Sequence, residues 1–177
     1  MVDLTALIRD VPDFPEPGIV FKDIMPLLAD ADSLRAVVAA LADPWFEESL
    51  TAVVGIEARG FLLGTPVAMA LGVGFVAVRK AGKLPGPTEQ QTYGLEYGTD
   101  TIEIHADAIS PGDHVLVLDD VLATGGTAAA AGAMVQRLGA TVAGYSFLVE
   151  LGFLGGRARL GDTRIEQLLL VDAGAED

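Results

Sequence analysis

The segment that most constrains the fold is Val115-Leu116-Val117-Leu118, which runs straight into Asp119-Asp120. A short turn through Val121-Leu122-Ala123-Thr124 then reaches Gly125-Gly126-Thr127, at the head of an alanine-rich stretch. Four consecutive aliphatic residues ended by acids read as a strand buried on both faces. The stretch from Gly126 to Leu138 reads as a helix, since alanine is the best helix former. A buried strand feeding a helix through a short turn is half of a βαβ crossover, and such units build parallel sheets covered by helices.

The rest of the chain repeats the alternation. Ala52–Ile56 and Phe75–Val78 are apolar runs of strand length, with a helical pattern from Gly60 to Leu71 between them; Pro66 is tolerable there as a kink or near the first turn. Asp32 is placed to cap a helix over Leu34–Ala42, which stops before Pro44. Thr141–Val149 and Ile165–Val171 complete the set of strands. Residues 11–28 hold four prolines and are expected to be extended rather than helical. From Arg79 to Gln91 the apolar pattern breaks at Gly82, Pro85, Gly86 and Pro87, which predicts a long loop. Leu95–Tyr97 and Thr101–His105 then form a hairpin around Gly98-Thr99-Asp100, with Ile102 and Ile104 alternating against Thr101, Glu103 and His105 in a half-exposed arm. The expected whole is one α/β domain over residues 1–177, with a mostly parallel, twisted sheet flanked by helices. In such sheets ligands gather at the carboxyl ends of the strands.

Composition removes several classes of function. The chain has no cysteine, which excludes disulfides, thiolate metal sites and cysteine nucleophiles. Its N-terminus lacks the basic start and apolar run of a signal peptide, and no apolar run has the length of a membrane span. These features point to a cytoplasmic protein. A net charge of −14 repels nucleic acid and anionic membranes, so neither is an expected partner. An anionic small molecule could bind only where some of the 11 lysines and arginines gather.

The turn at Ala123-Thr124-Gly125-Gly126-Thr127 supplies such a ligand with donors. Its glycines let the backbone come close to an anion, first-turn N–H groups lack helical partners, and two threonine hydroxyls add to them. Asp119 and Asp120 would repel a bare phosphate. They make sense if they accept hydrogen bonds from sugar hydroxyls or hold Mg²⁺ through water, and a ribose 5-phosphate meets both conditions. Gly55-Ile56-Glu57-Ala58-Arg59-Gly60 has the glycine spacing of a Walker loop, but Phe61-Leu62 stand where lysine and a hydroxyl residue are required. His105 and His114 lack metal-ligand spacing and read as structural, and Glu57 and Glu150 as structural or solvated.

The string from Val115 to Thr127 resembles the phosphoribosyl-pyrophosphate (PRPP) signature of the type I phosphoribosyltransferases. Four further groups of residues narrow the resemblance to the branch acting on adenine: Asp13-Phe14-Pro15 through Asp23, Gly55 to Phe61, Val78 to Pro85 with Leu95-Glu96-Tyr97-Gly98, and Val149-Glu150-Leu151. The resemblance implies that fold, with an N-terminal hood over residues 1–30 and a flexible catalytic loop over 79–100. It implies transfer of 5-phosphoribose from PRPP to N9 of adenine, with Mg²⁺, in purine salvage. Ala123 to Thr127 would hold the 5′-phosphate, and Asp119 and Asp120 the ribose and its metal. Arg59, Arg79, Lys80 and Lys83 would bind the pyrophosphate, partly across a homodimer interface. Val20, Phe21, Lys22 and Leu151 would frame adenine, with lysine at 22 where many relatives carry arginine. Glu96 would serve as acid/base and Tyr97 in loop closure.

Overall fold

The computed structural model describes residues 4–94 and 98–172. Strands β1 (Arg9–Pro12) and β2 (Val20–Asp23) pair antiparallel as a separate two-stranded sheet. The extended reading of this proline-rich segment stops short at helix α1 (Met25–Ala29), where Pro26 sits in the first turn and its missing N–H has no helical partner to lose. Helix α2 (Ala31–Ala42) is capped by Asp30, which accepts from the Ser33 N–H at 2.8 Å. The expected cap, Asp32, lies one residue inside the helix. There follow β3 (Ala52–Ile56), α3 (Arg59–Leu71), β4 (Gly74–Lys80), β5 (Thr88–Gly94), β6 (Thr99–His105), β7 (His114–Leu122), α4 (Gly126–Arg137), β8 (Thr141–Leu151) and β9 (Ile165–Val171).

The larger sheet has seven strands in the order β5-β6-β4-β3-β7-β8-β9. From β4 to β9 all neighbours are parallel, while β6 joins β4 antiparallel and carries β5 at the edge. The central strands β3 and β7 are apolar because both of their faces are buried. Val53, Leu116 and Leu118 pack with Val37, Leu41, Trp45, Leu63 and Val67 on one side. Val54, Ile56, Val115 and Val117 pack with Ala131, Met134 and Val135 of α4 on the other. Burial of each such aliphatic side chain stabilises by about 1.5–3 kcal/mol, so the central strands anchor whatever projects from their ends. Among the described residues no helix is long and apolar enough to cross a membrane.

The expected long loop from Arg79 to Gln91 is shorter at both ends. Arg79 and Lys80 end β4, Thr88 begins β5, and only residues 81–87 are irregular. β5 pairs with β6 as a hairpin from Thr88 opposite His105 to Gly94 opposite Thr99; Leu95–Tyr97, read as the first arm, lie outside the described residues. An edge strand of sequence Thr-Glu-Gln-Gln-Thr-Tyr-Gly has little apolar periodicity to betray it. The half-exposed reading of β6 also fails at Glu103, which is 2% exposed. Its carboxylate accepts from the N–H groups of Lys83 at 2.8 Å and Leu84 at 2.7 Å, and from Gln90 Nε2 at 3.1 Å. Those N–H groups hold its carboxyl below the ordinary glutamate value despite burial.

Candidate functional site

The chain leaves β3 toward β4 on one side and later places β7 on the other, so the sheet's switch point lies between β3 and β7, where α/β folds bind ligands. A cleft of about 430 Å³ opens there. Arg59 enters it at the start of α3, and Asp119 and Asp120 from the last part of β7. Arg79 and Lys80 lie at the end of β4, and Leu151 ends β8. Val20, Phe21 and Lys22 of the small sheet form the wall opposite.

Arg59 ties these parts together. Its Nε lies 2.7 Å from Asp120 Oδ2, and its guanidinium stands 4.6 Å from the Phe21 ring centroid. The contact with Asp120 is one of charge rather than of an aimed N–H, and Oδ2 has no hydrogen-bond donor among the described residues. Asp119 Oδ1 accepts the Asp120 N–H at 2.9 Å. Loss of water around the Asp119 carboxyl, with the Asp120 charge second, pushes it well above the ordinary aspartate value. Burial raises Asp120 too, and Arg59 draws it partly back. The pair is therefore held where it accepts a donor readily.

A smaller hollow of about 70 Å³ adjoins the cleft, lined by the turn from Ala123 to Thr127 and by Asp119. Gly125 adopts φ +77°, a left-handed conformation that glycine takes without strain, and α4 begins at Gly126, so the N–H groups of its first turn have no helical partners. The hollow has the size of a single tetrahedral anion and N–H donors on one wall. Thr127 Oγ1 donates to Tyr93 Oη at 3.0 Å, which links the turn to the end of β5.

The basic group does gather, but around an acid that the sequence reading set aside. Glu57 Oε2 accepts from Arg79 Nε at 3.1 Å and from the Lys80 N–H at 3.1 Å, and Oε1 accepts from Lys83 Nζ at 2.9 Å. Burial acts to raise the Glu57 carboxyl, but these donors outweigh it and leave it low. Glu57 is thus no solvated surface acid. Lys80 Nζ itself pairs with Asp100 at 3.3 Å. Lys22 lines the cleft, yet its ammonium is held by Asp10 across the small sheet at 2.7 and 2.8 Å. Glu150 is buried and held by Arg157, in keeping with a structural role. Glu96 and Tyr97 lie outside the described residues. Tyr93, Asp100 and Ile102 also line the cleft and were missed; their strands carried no motif to mark them.

The phosphoribosyl transferase domain family matches residues 27–158. Adenine phosphoribosyltransferase of Streptomyces clavuligerus is 60% identical over 160 residues, which is 90% of each chain. The crystal structure of adenine phosphoribosyltransferase from Rhodothermus marinus superposes with a TM-score of 0.91 at 54% identity, covering 95% of this chain and 96% of that one. The Giardia lamblia enzyme, solved in complex with 9-deazaadenine, gives 0.91 at 43% identity over 96% of both chains. With such identity along nearly its whole length, this chain belongs to the adenine phosphoribosyltransferases.

Proposed function

We infer that the chain transfers 5-phosphoribose from PRPP to N9 of adenine, releasing AMP and pyrophosphate in purine salvage. The observation that carries this reading is the position of Arg59, which touches both the ring of Phe21 and the carboxylate of Asp120 within one cleft. In this reading the base slot and the sugar site lie within a single side chain's reach, and the anion hollow shares Asp119, Ala123 and Thr127 with the same cleft.

In this reading Ala123, Thr124, Gly125, Gly126 and Thr127 hold the 5′-phosphate. Asp119 and Asp120 accept the ribose hydroxyls, a role supported by their place in the cleft lining at the end of β7. Val20, Phe21, Lys22 and Leu151 frame adenine. Because the Lys22 ammonium is bound to Asp10, lysine here acts mainly by fixing β1 to β2 under the base. Arg59, Arg79, Lys80 and Lys83 receive the pyrophosphate. As the bond from ribose C1 to pyrophosphate breaks, the leaving oxygens gain charge and these cations stabilise it. The new bond forms from C1 to N9, and Glu96 takes the N9 proton. Closure of Tyr97 and its neighbours over the site keeps water from C1.

Among the described residues no three acids or histidines form a metal cage. Mg²⁺ commonly binds instead through one or two carboxylates with water and substrate phosphates, and Asp119 and Asp120 suit that mode. Bound there it would offset phosphate charge. A cytoplasmic homodimer that shares the basic residues across its interface completes the reading, and sedimentation of the purified protein tests the dimer.

Purified protein given adenine, PRPP and Mg²⁺ should yield AMP and pyrophosphate in equal amounts. Hypoxanthine offered in competition should lose to adenine. A folded protein that forms no AMP overturns the reading.

A further inference from the structure

One basic side chain that this account does not use stands beside the phosphate turn. The 3-10 turn Gly156–Leu160 packs backbone to backbone on that loop. A side chain at Gly125 would come within 2.4 Å of the Gly156 carbonyl oxygen, and one at Gly156 within 2.2 Å of the Ala123 carbonyl oxygen. This interlock carries Arg159 to the start of α4, where a side chain at Gly126 would meet Arg159 Nη1 at 3.2 Å. Arg157, in the same turn, is committed elsewhere, its Nε donating to both Glu150 oxygens at 2.8 Å. Arg159 is exposed. Of the 11 lysines and arginines, it alone makes no ion pair among the described residues.

That solitude is unexpected in a chain with 25 aspartates and glutamates. The anion hollow also lacks a formal positive charge, because its lining residues offer only N–H groups and hydroxyls, and Asp119 repels an anion from one wall. The cations lining the main cleft cannot make up the deficit, since Lys22, Arg59 and Lys80 each face an acid, as do Arg79 and Lys83 behind Glu57. We propose that Arg159 is a binding residue for the 5′-phosphate, its guanidinium folding over the oxygens that the turn's N–H groups hold. The planar fork of arginine suits two phosphate oxygens at once. The inference rests on the phosphoribosyl-transfer reading and adds a residue to it.

The test compares wild type with Arg159→Ala, Arg159→Gln and Arg159→Lys. Arg159→Ala should raise KM for PRPP and Kd for ribose 5-phosphate about tenfold, the scale of one exposed charge-assisted contact. Turnover at saturating PRPP, KM for adenine and the melting temperature should stay within about twofold or a degree of wild type, since no core contact is lost. Arg159→Lys should recover the larger part of the affinity, and Arg159→Gln little of it. Ribose, which lacks the phosphate, should bind all four proteins alike. Equal affinity of wild type and the alanine or glutamine variant for ribose 5-phosphate overturns the proposal, as does an equal loss for ribose. The binding measurements need no turnover: a wild type that forms no AMP overturns the reaction, while they still decide Arg159.

Discussion

Asp119 and Asp120 oppose the fold at neutral pH. An acid whose folded pKa lies above its unfolded value holds its proton more firmly in the native state. Stability attributable to it is then fully present below the unfolded value, near 4, and is lost as pH rises through the folded value. Asp119 is raised well above its ordinary value, so its ionisation weighs against the fold at pH 7. Asn at this position keeps the oxygen that accepts the Asp120 N–H. Asp119→Asn should therefore raise stability at pH 7 by about 1 kcal/mol, a few degrees in melting temperature, and flatten its decline above pH 4. PRPP affinity should meanwhile fall at least about tenfold with the loss of a charged acceptor. Melts at pH 4 and pH 7 decide the matter, and a lower midpoint for the variant at pH 7 would count against it. Such residues were legible because their neighbours along the chain explain them. Glu57 and Glu103 were not, because the groups they bind lie some twenty residues away along the chain and meet them only across the sheet.

Among elements, the turn between β7 and α4 is the one whose sequence speaks most directly. The phosphate-binding role proposed for it depends on backbone N–H groups, and the glycines that expose them stand together in the sequence. Gly125 sits at φ +77° with a neighbouring carbonyl 2.4 Å from where a Cβ would fall. Gly125→Ala meets both a left-handed penalty of about 1–2 kcal/mol and a backbone collision, so the turn must shift. We expect a KM for PRPP raised at least about a hundredfold, with adenine binding within about threefold, because one misplaced anion site removes several charge-assisted bonds together. Fluorescence titration with each ligand would reveal a parallel loss, which would contradict this. The hairpin of β5 and β6 shows the opposite case. Its outer strand satisfies its backbone against β6 while its side chains stay polar, so hydrogen bonding rather than burial defines it. No periodicity could announce that.

Taken whole, the molecule carries a net charge of −14, and the cations lining its cleft are already matched by Asp10, Asp120 and Asp100, with Arg79 and Lys83 beside it matched by Glu57. The parallel sheet was legible because two-sided burial leaves long apolar runs; this internal pairing was not, since it depends on which strand ends become neighbours. Sites that steer ligands by an open positive field lose association rate steeply as salt rises. Here the field is compensated, so the association rate of PRPP in stopped flow should change by less than about threefold between low and physiological ionic strength. A tenfold fall would contradict it. A cleft built this way works like an ion exchanger loaded with its own counterions. Chloride or acetate, which could claim one cation at a time, leaves the Glu57 lattice closed, and only a ligand presenting several negative oxygens together can trade places with it.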